Sequence, residues 1–316
     1  MGADDLDNYD KAREQFAEAR HRERSAAARV RLWLAHNRLL RRTFDATYGR
    51  VYLRWFSSPR VRRRVAPYLA GYDGILFSPT GTGFSHTSEL QMLADLGELG
   101  DVLLIGAEYG GEIDELWGPH HPRSVVGVDI GDYEQGWASR PAGNVPACFA
   151  KMDASHLGFA PRSFDLIYSQ GVLPHIVDVP SFLSDAYDAL RPGGIFYAFC
   201  CPLWRTFGGS HVHDLGYDHL RLSEADLLER AIALRDGTYW WLGKGLFNKL
   251  RFRDLLGHVE DRFDVIRVGV MEAPDGKRYR RTNPVDWAGL RQDHEEEDLL
   301  IRLVSLTARR PRTQPH

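Results

Sequence analysis

The chain has 316 residues, 43% of them apolar and 26% charged, and a formal net charge of −3. These values suit one decorated globular domain or two, and they exclude global disorder, a collagen-like fibre and a disulfide scaffold. No run reaches the roughly 18 apolar residues of a membrane-spanning helix. The start, MGADDLDNYDK, has neither the apolar stretch of a secretory signal nor the Ser or Thr of a myristoylation signal. Three cysteines, Cys148 and the adjacent Cys200 and Cys201, show no disulfide or zinc-type spacing. They read as reduced thiols of a cytoplasmic protein.

In chain order, residues 11–44 lack Gly and Pro and are rich in Ala, Arg, Glu and Leu, a helical composition. Residues 48–70 read as a second helical stretch. Fourteen Arg against only Glu23 and Asp45 give residues 20–64 a net +12, so the remainder carries −15. Such a segment is either a solvated face or a contact for an anionic partner or a membrane surface. No dedicated nucleic-acid motif accompanies it. The Ser/Thr/Gly-rich loop 78–86 acts as a lid or a linker. Then the pattern changes to short apolar runs alternating with helical ones: DVLLIG (101–106), SVVGVDI (124–130), FDLIYS (164–169), an amphipathic helix over 179–190, IFYAFCC (195–201), RFDVIRVGVM (262–271) and LIRLVSLTARR (300–310). Buried strands alternating with helices predict a Rossmann-like, mostly parallel α/β sheet. The expected organisation is an Arg-rich helical region over 1–97, an α/β domain over 98–310 with an acceptor-site insertion around 202–250, and a disordered tail over 311–316.

The first strand of that domain ends in Gly106-Ala107-Glu108-Tyr109-Gly110-Gly111, and the second ends in Asp129, 23 residues after Gly106. A glycine turn lets a ligand approach the backbone, and an acid there accepts from ribose hydroxyls. Three further elements follow: Lys151-Met152-Asp153-Ala154, Ser163-Phe164-Asp165-Leu166-Ile167 and Leu190-Arg191-Pro192-Gly193-Gly194. In this order, over residues 98–200, the chain resembles the class I S-adenosylmethionine-dependent methyltransferases, the type 11 group. The resemblance implies that Gly106 and Gly110 lie against the methionine part of S-adenosylmethionine. It places Asp129 on the ribose, Met152 on the adenine and Asp153 on the adenine amine. Ser169 and Gln170 would follow the fourth strand of that fold, near the sulfonium and the acceptor, and His175 would pack and cap. Two positions depart from the pattern. Leu104 stands where the family usually has an acid, and Glu108 stands where it has a glycine. The Glu108 carboxylate can meet the cofactor's ammonium group. A dinucleotide-binding oxidoreductase and an inactive cofactor-binding partner protein remain the alternative readings.

Beyond residue 201, His211, His213 and His219 fall within nine residues, with Asp214 among them. A histidine base suits methylation of a hydroxyl, and His211 and His213 are the candidates. Binding of a metal by His211, His213 and Asp214, or a purely structural role, are the other readings. Trp204, Phe207 and Tyr217 add flat apolar surface; Trp240-Trp241 reads as core, with an acceptor wall as the other reading. The expected acceptor is a hydroxyl of a sugar, glycan or small natural product.

Overall fold

The computed structural model describes residues 73–76, most of 93–139, 143–234 and 239–312. The helices expected over 11–44 and 48–70, the 78–86 loop and the last four residues lie outside the described residues. The strands are β1 (Asp73–Leu76), β2 (Asp101–Ile105), β3 (Ser124–Asp129), β4 (Ala147–Lys151), β5 (Phe164–Gln170), β6 (Leu190–Cys200), β7 (Asp264–Glu272) and β8 (Ile301–Arg309). They form one eight-stranded sheet in the order β1-β7-β8-β6-β5-β2-β3-β4. Every pairing is parallel except the two made by β8. The expected Rossmann-like sheet is therefore present. The chain leaves β2 toward β3 and β4 on one side, then returns to β5 on the other. Such a reversal opens a crevice at the carboxyl ends of the strands, where ligands of open α/β sheets bind.

Alternation along each strand divides the core between the two faces. Leu103, Ile105, Ile167, Phe196 and Ala198 join one cluster, which also receives helix α2 (Val179–Ala189) and a later helix over Phe252–Glu260. Val102, Leu166, Tyr168, Ile195 and Tyr197 join the other, with Leu93 and Trp117. Helix α2 starts at Asp178, whose carboxylate accepts from Ser181 N–H at 3.0 Å, and it buries Val179, Phe182, Leu183, Ala186 and Ala189. It stops at Ala189, and β6 begins at once at Leu190, five residues earlier than the apolar run alone indicates. The β5–β6 register jumps from Phe164↔Leu190 to Leu166↔Ile195, so Arg191-Pro192-Gly193-Gly194 bulges out of the ladder.

Two strands are absent from the sequence reading. Strand β1 falls in the 1–97 region expected to be helical, between the stretch ending at residue 70 and the 78–86 loop, and β4 carries no buried run. Both are edge strands, paired on one side only, so neither needs the continuous apolar pattern of a central strand.

Candidate functional site: a cavity at the sheet crevice

At the carboxyl end of β2, Gly106 has φ +81°, and a Cβ there would stand 2.1 Å from Val172 Cγ2. Only glycine fits such a turn. At Gly110, with φ +64°, a Cβ would press on the Phe149 ring. Between them Glu108 also takes a left-handed conformation, φ 42°, with a side chain in place. Its backbone is clamped on both sides. Its N–H donates to Asp129 Oδ2 at 3.0 Å, and its carbonyl accepts from Trp137 Nε1 at 2.6 Å. Trp137, on helix α1 (Glu134–Ser139), is itself stacked on Phe149 with centroids 5.5 Å apart. Leu104, where the family usually has an acid, packs against the apolar cluster of Val102 and Tyr168.

Asp129 ends β3. Its Oδ1 accepts from Gly131 N–H at 2.8 Å, so both carboxylate oxygens are oriented by backbone donors. After β4, Asp153 Oδ1 accepts from Ser155 N–H at 2.8 Å. Gly106, Glu108, Asp129, Met152, Asp153 and Gln170 share one cavity of about 240 Å³. Gln170 is the last residue of β5 and faces this cavity; Ser169, its neighbour on the opposite face, is fully buried and does not line it. Gly110 supports the loop from behind, against Phe149.

The far wall carries His175, His211, Trp241 and Leu246, with Val172 and Ile176 between. His175 ends a short 3-10 turn, Leu173–His175, and its Nδ1 lies 2.8 Å from the Leu246 carbonyl oxygen. Its ring stacks on Trp241 at 4.2 Å and meets His211 edge to face at 4.9 Å. Burial pulls His175 down to about 4 against the pull of the Leu246 carbonyl. Burial, then the charges of His175 and Arg302, pull His211 down to about 3. Both imidazoles are neutral at pH 7. His211 also has a left-handed backbone, φ 69°, and its Nε2 is buried without a partner among the described residues.

The rest of the histidine cluster is placed elsewhere. His219 is buried under Trp204, its ring nitrogens 2.6 Å from the Trp204 carbonyl oxygen and 2.9 Å from that of Gly216. It ties the 202–220 loop together. The backbone of His213 opens a 3-10 turn, His213–Leu215, and its side chain lies outside the described residues. Among the described residues, no group of three or more His, Cys, Asp or Glu side chains is placed to hold a metal ion.

The sequence reading singled out six residues of the near wall and His211. It missed the part played by Leu246, Tyr133 and Ile176. Trp241 lines the cavity instead of being wholly core. Neither Leu246 nor its carbonyl carries a sequence signal, because a backbone oxygen has none.

Residues 103–198 match the family profile described as a methyltransferase domain. A ubiquinone biosynthesis O-methyltransferase of Rhizobium etli is 34% identical over 76 residues, 23% of this chain and 31% of that protein. The chain thus spans about a third of the length of the curated relatives it matches. Among solved structures, an S-adenosylmethionine-dependent methyltransferase from Mesorhizobium loti is similar at 19% identity and TM-score 0.46, over 74% of this chain and 100% of that one. A Haemonchus contortus phosphoethanolamine N-methyltransferase is similar at 18% and TM-score 0.44, over 70% of this chain and 52% of that one.

The profile match makes residues 103–198 a methyltransferase domain, carried on a Rossmann-like sheet. The cavity fits S-adenosylmethionine. A glycine turn leaves no room for a Cβ at Gly106, and two oriented carboxylates, Asp129 and Asp153, stand at the ends of successive strand–loop units. Among the described residues, no helix is long and apolar enough to cross a membrane.

Proposed function

We propose that the chain transfers a methyl group from S-adenosylmethionine to a hydroxyl of a small natural product, with a cavity imidazole taking the hydroxyl proton. The observation that carries this reading is the single cavity in which Asp129, Asp153 and Glu108 face His175 and His211. Bound S-adenosylmethionine would supply an electrophilic methyl group. Asp129 would hold the ribose, Met152 and Asp153 the adenine, and the Glu108 carboxylate the α-ammonium group. Methyl transfer is an in-line displacement, so the protein's task is to align two partners and exclude water. Val172, Ile176, Trp241 and Leu246 give the acceptor side an apolar, partly aromatic wall. That lining favours a ring compound over a glycan, whose many hydroxyls need polar partners. The name of the Rhizobium etli relative supports oxygen as the methylated atom. The free cysteines fit work in a reducing cytoplasm.

The test is incubation of the full chain with methyl-labelled S-adenosylmethionine and parallel panels of hydroxylated ring compounds, glycans and amines. The reading expects label on an oxygen of a ring compound. Label confined to amines or glycans would replace it, and cofactor binding without any transfer would favour a partner protein that only binds the cofactor.

A further inference from the structure

His175 and His211 stand against each other in the cavity wall, and a proton would meet different surroundings on each. A carbonyl oxygen only accepts, so the 2.8 Å contact with Leu246 fixes the hydrogen of His175 on Nδ1 and leaves its Nε2 as a lone pair. The ring is held by Trp241 at 4.2 Å, by Phe247 at 4.9 Å and by His211 at 4.9 Å. The orienting carbonyl is also held. Asn248, two residues on, donates from its side-chain amide to the Leu173 carbonyl at 2.6 Å and the Ile176 carbonyl at 3.1 Å. Its backbone N–H donates to the Pro174 carbonyl at 3.0 Å. The segment bearing Leu246 is therefore bolted to the very turn that bears His175.

We propose that His175, rather than His211, accepts the proton of the hydroxyl acceptor, with the Leu246 carbonyl as its positioning partner. The inference rests on the methyl-transfer reading above. A proton arriving on His175 Nε2 makes an imidazolium whose Nδ1–H···O=C bond becomes charge-assisted and whose stacked neighbour is an indole face. On His211 the new charge would have a buried Nε2 without a partner among the described residues, and the Arg302 cation nearby. In the step itself the acceptor's O–H bond breaks and its proton moves to His175 Nε2. The oxygen forms the new C–O bond, the methyl–sulfur bond breaks, and its electron pair stays on sulfur as a neutral thioether. The imidazolium then releases its proton to water. Burial leaves His175 a weak base, which suits an acidic hydroxyl, a phenol or an enol, better than a sugar alcohol.

The test uses the full chain loaded with S-adenosylhomocysteine, and 4-nitrocatechol as the probe, because its absorbance reports ionisation. The pH is set where the free probe is mostly protonated. Wild type is expected to ionise the bound probe at lower pH than solution does, because the phenolate favours the His175 imidazolium beside it. His211→Ala, which removes a cavity wall, weakens binding yet leaves the bound probe ionised. His175→Ala and the bulkier His175→Gln bind it protonated, and their methyl transfer to 4-nitrocatechol falls on the order of 100-fold or more, with kcat bearing the loss rather than KM. Added imidazole restores part of the rate in His175→Ala, which a purely structural histidine would not show. Ionisation that survives in His175→Gln and vanishes in His211→Ala overturns the inference, as does a wild-type cavity that leaves the probe protonated. Failure of wild type to bind S-adenosylhomocysteine at all overturns the methyl-transfer reading instead.

Discussion

Glu108 occupies a backbone conformation that costs a non-glycine residue about 1–2 kcal/mol, and its N–H and carbonyl are both engaged there. Strain of this kind persists where the surroundings over-determine it, and it concentrates at binding sites. Glu108→Gly is therefore expected to raise the melting temperature of the free protein by a few degrees while weakening S-adenosylhomocysteine. Glu108→Gln keeps the strain and is expected to weaken the same ligand by about tenfold, the scale of one charge-assisted hydrogen bond. Methylthioadenosine, which lacks the α-ammonium group, should bind Glu108→Gln and wild type alike. Calorimetry with the two ligands checks this, and equal losses for both would place the Glu108 carboxylate away from the ammonium group. The position was legible as a departure from a glycine pattern. Its left-handed backbone and the Trp137 indole that clamps it were not, because Trp137 arrives from a helix 29 residues away.

At the scale of elements, the central strands are legible and the edges are not. Val102, Leu103 and Ile105, or Leu166, Ile167 and Tyr168, are buried from both faces and read as apolar runs. Strand β4 is Ala-Cys-Phe-Ala-Lys with Cys148 exposed, and its pairing with β3 is set by tertiary context rather than by composition. The Leu190-to-Gly194 motif was legible as one element of the family pattern, but its structural work lies at the amino ends of the strands. Arg191 leaves the bulge to donate to Asp165 Oδ2 at 2.7 Å and to Asp101 Oδ2 at 3.0 Å. Asp165 in turn accepts from Asp101 N–H at 2.8 Å, and Asp101 accepts from Ser124 Oγ at 2.9 Å. One network thus ties the starts of β2, β3, β5 and β6. At Asp101, partial burial raises the pKa, but the hydrogen bonds from Ser124 and Arg191 and the charges of Arg123 and Arg191 outweigh it and leave the net shift downward. A carboxylate depressed in the fold adds stability above its unfolded pKa, and that stability is lost as pH falls through the folded value. Asp101→Asn is expected to lower the urea midpoint at pH 7, and its gap to wild type should close as pH falls below the ordinary carboxylate range. A gap that is the same at every pH would show that the charge of Asp101 contributes nothing.

At the scale of the whole molecule, the cofactor side and the acceptor side are built differently. The near wall belongs to the sheet and to motifs that succeed one another along 101–170. The far wall joins the turn over residues 172–176 to the 202–250 segment, which carries its own small core of Trp204, Val212, Leu215, Leu227, Ala231 and Phe247. Local patterns therefore expose the first wall and leave the second as a cluster of histidines whose individual fates only packing decides. Two imidazoles of that wall, His175 and His211, are held down at about 4 and about 3, burial being the leading cause for each. Groups that stay neutral in the fold but take protons when unfolded add stability above their unfolded pKa, about 6.5 for histidine. That stability is lost as pH falls from there toward the folded values. The urea midpoint is expected to fall between pH 7 and pH 5, and less steeply in His211→Asn than in wild type. A midpoint that is flat over this interval would mean the rings are charged in the fold.

The roles given to Glu108, Asp129, Asp153 and His175 all require the cavity at the β2–β5 crevice to bind S-adenosylmethionine. Calorimetric titration of the full chain with S-adenosylhomocysteine, and in parallel with NAD, tests it. One-site binding of the first with no heat from the second is expected. Asp129→Ala should weaken it by roughly 10- to 100-fold, the scale of one to two charged hydrogen bonds. Binding of NAD in preference, or S-adenosylhomocysteine binding untouched by Asp129→Ala, would contradict it.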